Sequence, residues 1–187
     1  MQSSCQIVGL VLSTSRDKFS TIDLSSFQFR PMDSIPLNLL LQNLKSDDLS
    51  TRDNSTQELW RRWFGQKGTM GLQILQRSQL LQNMGEFDEA ESVLSQVIRS
   101  MPDFAEAWNR RAVVYFVQDR HRKAIADCQR TLVLNPSHFG ALHGMGLCHI
   151  KLSEYRQASQ AFRQALEIQP YSVENQRMIL ECAAHLS

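Results

Sequence analysis

The chain has 187 residues, with 20 lysines and arginines against 19 aspartates and glutamates and a formal net charge of +1. A protein that binds nucleic acid or an anionic membrane through its overall field is usually more basic, so this balance argues against both. No run of about 18 apolar residues occurs, and a membrane-spanning helix is therefore not expected.

Residues 1–35 show little helical periodicity and predict an irregular N-terminal extension. Serine and threonine are frequent there and acidic residues are few, which loosely resembles an organelle transit peptide, although the arginine-rich amphipathic character of a mitochondrial one is missing. Cys128, Cys148 and Cys182 lie in apolar helical segments and favour buried, reduced thiols. We therefore expect a soluble intracellular protein, in the cytoplasm or in an organelle such as a chloroplast or mitochondrion.

Residues 36–69 predict two helices. Leucines at helical spacing follow Pro36, and the polar stretch 46–54 predicts a loop. Ser55 and Glu58 match a capping box that would begin the second helix. That helix has an aromatic face, formed by Trp60, Trp63 and Phe64. The two helices are interpreted as a degenerate repeat or as N-terminal capping helices.

Two residue series then recur every 34 residues: Pro102, Pro136, Pro170 and Ala90, Ala124, Ala158. This is the period of a helix–turn–helix repeat, in which proline ends each unit and alanine lets two helices approach. The period predicts an all-α solenoid of three antiparallel helix pairs, at 70–103, 104–137 and 138–171. Gly85 would end the first helix and Asp88 would cap the second. Residues 172–187 predict an unpaired capping helix.

These positions resemble the tetratricopeptide repeat family. The second unit supplies Trp108, Ala112, Tyr115, Ala124 and Pro136, and the third supplies Leu142, Met145, Gly146, Ala158, Phe162, Ala165 and Pro170. The resemblance covers about residues 70–187. It implies a right-handed superhelix with a concave groove lined by the first helix of each pair.

The resemblance also implies which side chains face that groove. They are Leu75, Gln79, Asn109, Val113, Phe116, His143, Leu147, Lys151 and Arg177. Apolar residues alternate with polar ones, which suits an extended peptide or an amphipathic helix of a partner protein. The alternative is that the chain's own N-terminal segment covers some of them.

Members of the family that bind chaperone tails hold a carboxylate with lysine, asparagine and arginine side chains. The corresponding positions here are Leu75, Gln79, Arg110, Gly140 and Gly144. This cationic clamp is missing, and we expect no tight binding of Hsp70 or Hsp90 tail peptides.

Weaker signals have plain structural explanations. The basic cluster Arg120–Lys123 falls at a predicted turn, where a solvated turn is favoured over an RNA or phosphate contact. Cys148 and Cys182 share one repeat phase, which favours packing over zinc binding with His149 and His185. We expect no metal, no cofactor and no nucleic-acid partner.

No nucleophile–base or carboxylate pair stands out, and an enzyme is not expected. The sequence instead favours a non-catalytic interaction module, an adaptor or an assembly or chaperone-like factor. A structural subunit of a larger complex, docked through Trp60, Trp63 and Phe64, is the alternative, and RNA binding is a weaker one.

Overall fold

The computed structural model describes residues 35–186, and within this range the chain forms α-helices and no β-strand. The helices are α1 (Leu37–Asn43), α2 (Leu49–Gly65), α3 (Gly68–Met84), α4 (Phe87–Ser100), α5 (Ala105–Val117), α6 (His121–Leu134), α7 (Phe139–Lys151), α8 (Tyr155–Ile168) and α9 (Val173–Ala184). The predicted N-terminal extension lies outside the described residues, except for Ile35.

Six of these helices form the pairs α3–α4, α5–α6 and α7–α8, which stack in chain order, and α9 packs on α8. Helices α6 and α8 begin and end where the 34-residue period predicts, and α9 begins after Ser172, whose hydroxyl accepts from the Asn175 N–H. The predicted all-α solenoid is confirmed.

Small residues allow the two helices of each pair to approach closely. Ala90, Ala124 and Ala158 are fully buried in the second helices. In the third pair, a Cβ added to Gly146 would lie 2.6 Å from the ring of Phe162. The backbone of α7 therefore packs directly on an aromatic ring of α8, as only glycine permits.

Each pair turns through one residue in the left-handed region. Gly85, Asp119 and Ser153 have φ values of 83°, 58° and 59°, and they stand 34 residues apart. Gly85 ends α3 as predicted. The second and third turns place side chains in a backbone conformation that costs an L-residue about 1–2 kcal/mol.

We expect Asp119→Gly to raise the free energy of unfolding by up to about 1 kcal/mol. Glycine relieves the left-handed strain but loses more chain entropy on folding, and the first effect is the larger. Urea unfolding followed by circular dichroism measures the change. Asp103→Gly, at an exposed turn residue that lacks a positive φ and pairs with Lys67, should instead lower the free energy of unfolding.

Two predicted helix caps are wrong. Helix α2 begins at Leu49, inside the predicted loop, because the Asp48 carboxylate accepts the Thr51 N–H at 2.8 Å, and Ser55 is buried mid-helix. Helix α4 begins at Phe87, before Asp88, whose carboxylate instead accepts from the Gln118 amide at 2.9 Å. In α2, an earlier helix start at Asp48 replaces the predicted cap. In α4, a longer-range contact with Gln118 engages the carboxylate that was expected to cap the helix.

Helices α1 and α2, here termed the strap, lie along the solenoid. Gln66 at the end of α2 donates to the Asp103 carbonyl at 3.0 Å, and Thr56 accepts from the Gln169 amide at 3.3 Å. Between them, the Trp60 and Phe139 ring centroids are 5.2 Å apart. A stacked repeat contacts only its neighbours. The strap instead crosses the turns that lead into α5, α7 and α9.

Candidate peptide-binding groove

The structure divides the predicted groove residues by their exposure. Six are buried, one is half-buried and two are exposed: Leu75, Gln79, Asn109, Val113, Phe116 and His143 in the first group, Leu147 in the second, Lys151 and Arg177 in the third. Positions in an empty groove would face water. Their burial shows that other helices of the fold, including neighbouring repeat helices, pack against much of this surface.

Helix α2 provides part of this packing. The Trp63 ring stacks on His138 with centroids 4.3 Å apart, and Trp60 lies edge-on to His138 at 5.4 Å. Phe64 packs in one cluster with Leu75. These contacts define the covered half of the groove, formed by the N-terminal parts of α3, α5 and α7. Helix α2 therefore packs against one of the predicted groove residues, Leu75.

The predicted docking face is turned inward in this arrangement. Trp63 is 8% exposed and Phe64 is 0% exposed, while Trp60 keeps partial exposure. The Trp60 ring stacks on Phe64 with centroids 5.4 Å apart. A partner reaches this aromatic face only if α2 leaves the solenoid.

A buried polar network lies beneath the strap. Arg110 donates from Nε to Glu106 at 2.9 Å and from Nη1 to the Gln79 amide oxygen at 2.7 Å. The other Glu106 oxygen lies 2.9 Å from His138 Nε2. Since His138 Nδ1 accepts the Ala141 N–H, this ring carries its donated hydrogen on Nε2.

Glu106 is the electrostatic centre of this network. Burial by itself would raise the pKa of the Glu106 carboxyl, but the hydrogen bond with His138 and the charge of Arg110 hold it below its usual range. Asn109 adds a longer hydrogen bond at 3.3 Å. The ionised carboxylate therefore neutralises Arg110 inside the fold.

Sequence reasoning missed Glu106 and His138 as site residues. The i, i+4 pairing of Glu106 with Arg110 was a readable signal, because such pairs share a helix face. The contact with His138 crosses 32 residues and had no local signal. Glu106 therefore supplies an internal carboxylate beside Arg110, one of the predicted clamp positions.

His143 is another buried residue among the predicted groove positions, and it lies on α7. Its Nδ1 is 2.7 Å from the Asn175 side-chain oxygen, and its Nε2 is buried with no hydrogen-bond partner among the described residues. Burial lowers the pKa of the His143 imidazole. The neutral ring thus ties α7 to α9.

Part of the predicted groove surface remains accessible at the C-terminal ends of α5 and α7, and it is here termed the open half of the groove. Val117 is 42% exposed, Lys151 is exposed, and Leu147 and Ile150 are half-buried. Arg177, on α9, is exposed and pairs with Glu174 at 2.7 Å. This surface offers apolar side chains flanked by cations.

The basic cluster takes part in contacts within the fold. Arg120 pairs with Glu91, Arg122 pairs with Glu154, and Lys123 lies 5.6 Å from the centre of the Tyr115 ring. The two ion pairs join neighbouring repeats, and the Lys123 contact lies within the second repeat. They give the cluster a structural role.

The candidate zinc ligands do not converge. Residues 35–186 contain no group of three or more histidine, cysteine, aspartate or glutamate side chains placed to hold a metal ion. Cys148 packs with Cys128 in one apolar cluster, and burial raises the pKa of the Cys148 thiol to about 12.

Among residues 35–186, no helix is both long and apolar enough to cross a membrane.

Comparison with known families agrees with this architecture. Models described as tetratricopeptide repeat match residues 75–139 and 139–172, together slightly more than half of the chain. The chain belongs to the tetratricopeptide repeat family.

Individual relatives share only part of their length with it. A TPR repeat-containing protein of Rhizobium etli is 38% identical over 77 residues, which are 41% of this chain and 38% of that protein. The BBSome complex member BBS4 homolog of Drosophila melanogaster is 25% identical over 107 residues, 57% of this chain and 22% of that protein. The chain thus spans less than half of either relative.

The fold also matches solved structures. The first TPR of Spaghetti (RPAP3), bound to the HSP90 peptide SRMEEVD, superimposes with a TM-score of 0.59 at 22% identity. The match covers 62% of this chain and 91% of that one. At this identity the likeness supports the fold alone.

Proposed function

We propose that the chain is a non-catalytic adaptor or assembly factor that holds a segment of a partner protein in the open half of its groove. The observation that carries this proposal is the surface around Val117 and Lys151, where apolar side chains remain accessible beside a cation. An extended peptide or an amphipathic helix would fit such a surface. The similarity to a BBSome complex member supports a role in protein assemblies.

We expect the double variant Val117→Asp, Lys151→Glu to lose its captured partner, because it places negative charge on an apolar, cationic surface. Both side chains are exposed, so the free energy of unfolding should change by less than about 0.5 kcal/mol. Affinity capture of the tagged chain with quantitative mass spectrometry measures the loss.

The matched control also replaces one valine by aspartate and one cationic residue by glutamate, but on the second helices of the pairs. Val133→Asp, Arg163→Glu alters an exposed valine of α6 and an exposed arginine of α8. This variant should keep the partner. Partner capture that is lost in the control and retained in the first variant would contradict the open-half assignment. Exposed sites suit this test better than Asn109 and His143, whose buried contacts support the fold.

We further propose that this groove does not hold chaperone tail carboxylates, although the HSP90 peptide is bound by the structural neighbour. Arg110 already pairs with Glu106, and Gly140 lies against Trp60. Titration of the peptide SRMEEVD into the full chain should show no micromolar binding by calorimetry. Micromolar affinity would show that a usable clamp exists.

A further inference from the structure

The strap sits in the covered half in the way that a helical ligand would. Its contacts come from Trp60, Trp63 and Phe64, spaced i, i+3 and i+4 on one face of α2. An amphipathic helix places anchors at this spacing when it enters a groove. The seat beneath them is aromatic and polar, because Trp63 stacks on His138 and the Arg110 guanidinium, which is paired with Glu106, lies 5.2 Å from the centre of the Phe64 ring.

The seat also has a shape that fits one anchor. A Cβ added to Gly140 would lie 2.6 Å from Cη2 of Trp60. Gly140 stands in the first turn of α7, where alanine would favour the helix by about 1 kcal/mol in the absence of a neighbour. The missing side chain therefore leaves room for the indole.

The strap supplies four of the five buried residues of one apolar cluster. They are Leu40 of α1, Leu44 just after α1, and Leu59 and Trp63 of α2, and the solenoid contributes Phe139. Proteins open locally in contiguous units at lower free energy than the whole domain. Because α1 and α2 keep their contacts with each other when they move together, the strap can leave the seat as one hairpin.

The joint between the strap and the solenoid is short and open. Gln66 and Lys67 separate α2 from α3, between Gly65 and Gly68. Nothing lies within 4 Å of a Cβ added to either glycine, and Gly68 has a φ of 64°. The polar contacts of the joint reach Asp103 in the turn before α5 and the Ala105 N–H at the start of α5. Hinges concentrate at such element ends.

We propose that the covered half is a second partner site, specific for an amphipathic helix with tryptophans at i and i+3 and phenylalanine at i+4, which α2 fills until such a helix displaces it. The proposal rests on the proposed function, since it assigns a partner to the same groove. It commits to a helix of another protein with the anchor spacing of α2. A second copy that exchanges straps is the competing occupant.

A fluorescein-labelled peptide of residues 49–65, titrated into the full chain by fluorescence anisotropy, tests the site. Trp60→Ala, Trp63→Ala removes the anchors of the strap in the chain but not in the peptide. The peptide can bind only those molecules in which the strap has left the seat, and its apparent affinity is reduced to that fraction. Because the variant strap is held less tightly, this variant should bind the peptide at least about tenfold more tightly than the unaltered chain. Adding Gly140→Leu fills the seat and should abolish the gain.

A peptide with both tryptophans replaced by alanine is the matched control and should not bind. If the first variant loses its helical circular dichroism, Trp60→Ala alone is used instead, because it removes one anchor of the strap and leaves the space at Gly140 free for the peptide. A folded variant of either kind that binds the peptide no better than the unaltered chain would overturn the proposal. A concentration-dependent dimer of the unaltered chain in light scattering would assign the seat to strap exchange and would also overturn it.

The peptide titration and the capture experiment can fail separately, so a failure of this proposal is distinguishable from a failure of the proposed function. The peptide titration reports on the seat around His138 and Gly140, and the capture experiment reports on Val117 and Lys151. Failure of the peptide to bind leaves the capture result standing. Loss of selectivity in the capture experiment likewise leaves the titration valid.

Discussion

Glu106→Ala is expected to lower the free energy of unfolding by about 3–5 kcal/mol, since it leaves the buried charge of Arg110 without its partner. His138 loses its acceptor at the same time, and the network beneath the strap is left unsatisfied. Urea unfolding of the full chain measures the loss. A decrease below about 1 kcal/mol would mean that water or another side chain replaces the carboxylate.

Two further variants separate charge from burial. Glu167→Ala removes an exposed carboxylate from α8 and should change stability by less than about 0.5 kcal/mol. Glu106→Gln keeps hydrogen-bond acceptors but removes the charge. Because the pKa of Glu106 is lowered in the fold, its charge stabilises the chain above the unfolded carboxyl pKa of about 4.3 and this is lost as the pH falls through the folded value. The glutamine variant should lack that part of the acid sensitivity.

Phe162→Ala is the second large expected effect, a loss of about 3–5 kcal/mol. The Phe162 ring is fully buried, packs on the backbone at Gly146, and lies 5.5 Å from the His143 ring. Its removal leaves a cavity between α7 and α8. Thermal and urea unfolding with matched baselines measure the change.

A double-mutant cycle checks the packing explanation. Gly146→Ala should destabilise the unaltered chain, because its Cβ would meet the Phe162 ring at 2.6 Å. In the Phe162→Ala background the same change should stabilise it, because the space is free and alanine favours a helix by about 1 kcal/mol. Equal effects in both backgrounds would show that the two residues do not share a contact.

The repeat was predictable because its signals recur. The prolines and alanines on one 34-residue period identify the pairs, and α6 and α8 have the predicted bounds. A single capping pattern had no such support. Ser55 does not cap α2, because Asp48 caps the helix at an earlier position. A single local motif competes with every other possible helix start nearby.

The position of the strap could not be read from the sequence. Its contacts join residues far apart, as in the hydrogen bond between Gln169 and Thr56 across 113 positions. The aromatic face of α2 predicts burial but not the surface that buries it. The contact between Glu106 and His138 was unpredictable for the same reason. The sequence around each residue shows no unusual pattern, and only the fold brings the two side chains together. The groove residues themselves remain predictions.

Cross-linking of the captured complex tests the central claim most directly, because the chain carries its own probe and control. Lys151 lies in the open half of the groove, and Lys123 is an exposed lysine of the second-helix surface. A lysine-reactive cross-linker followed by mass spectrometry should join the partner to Lys151 and leave Lys123 without partner links. Links at Lys123 with none at Lys151 would contradict the account.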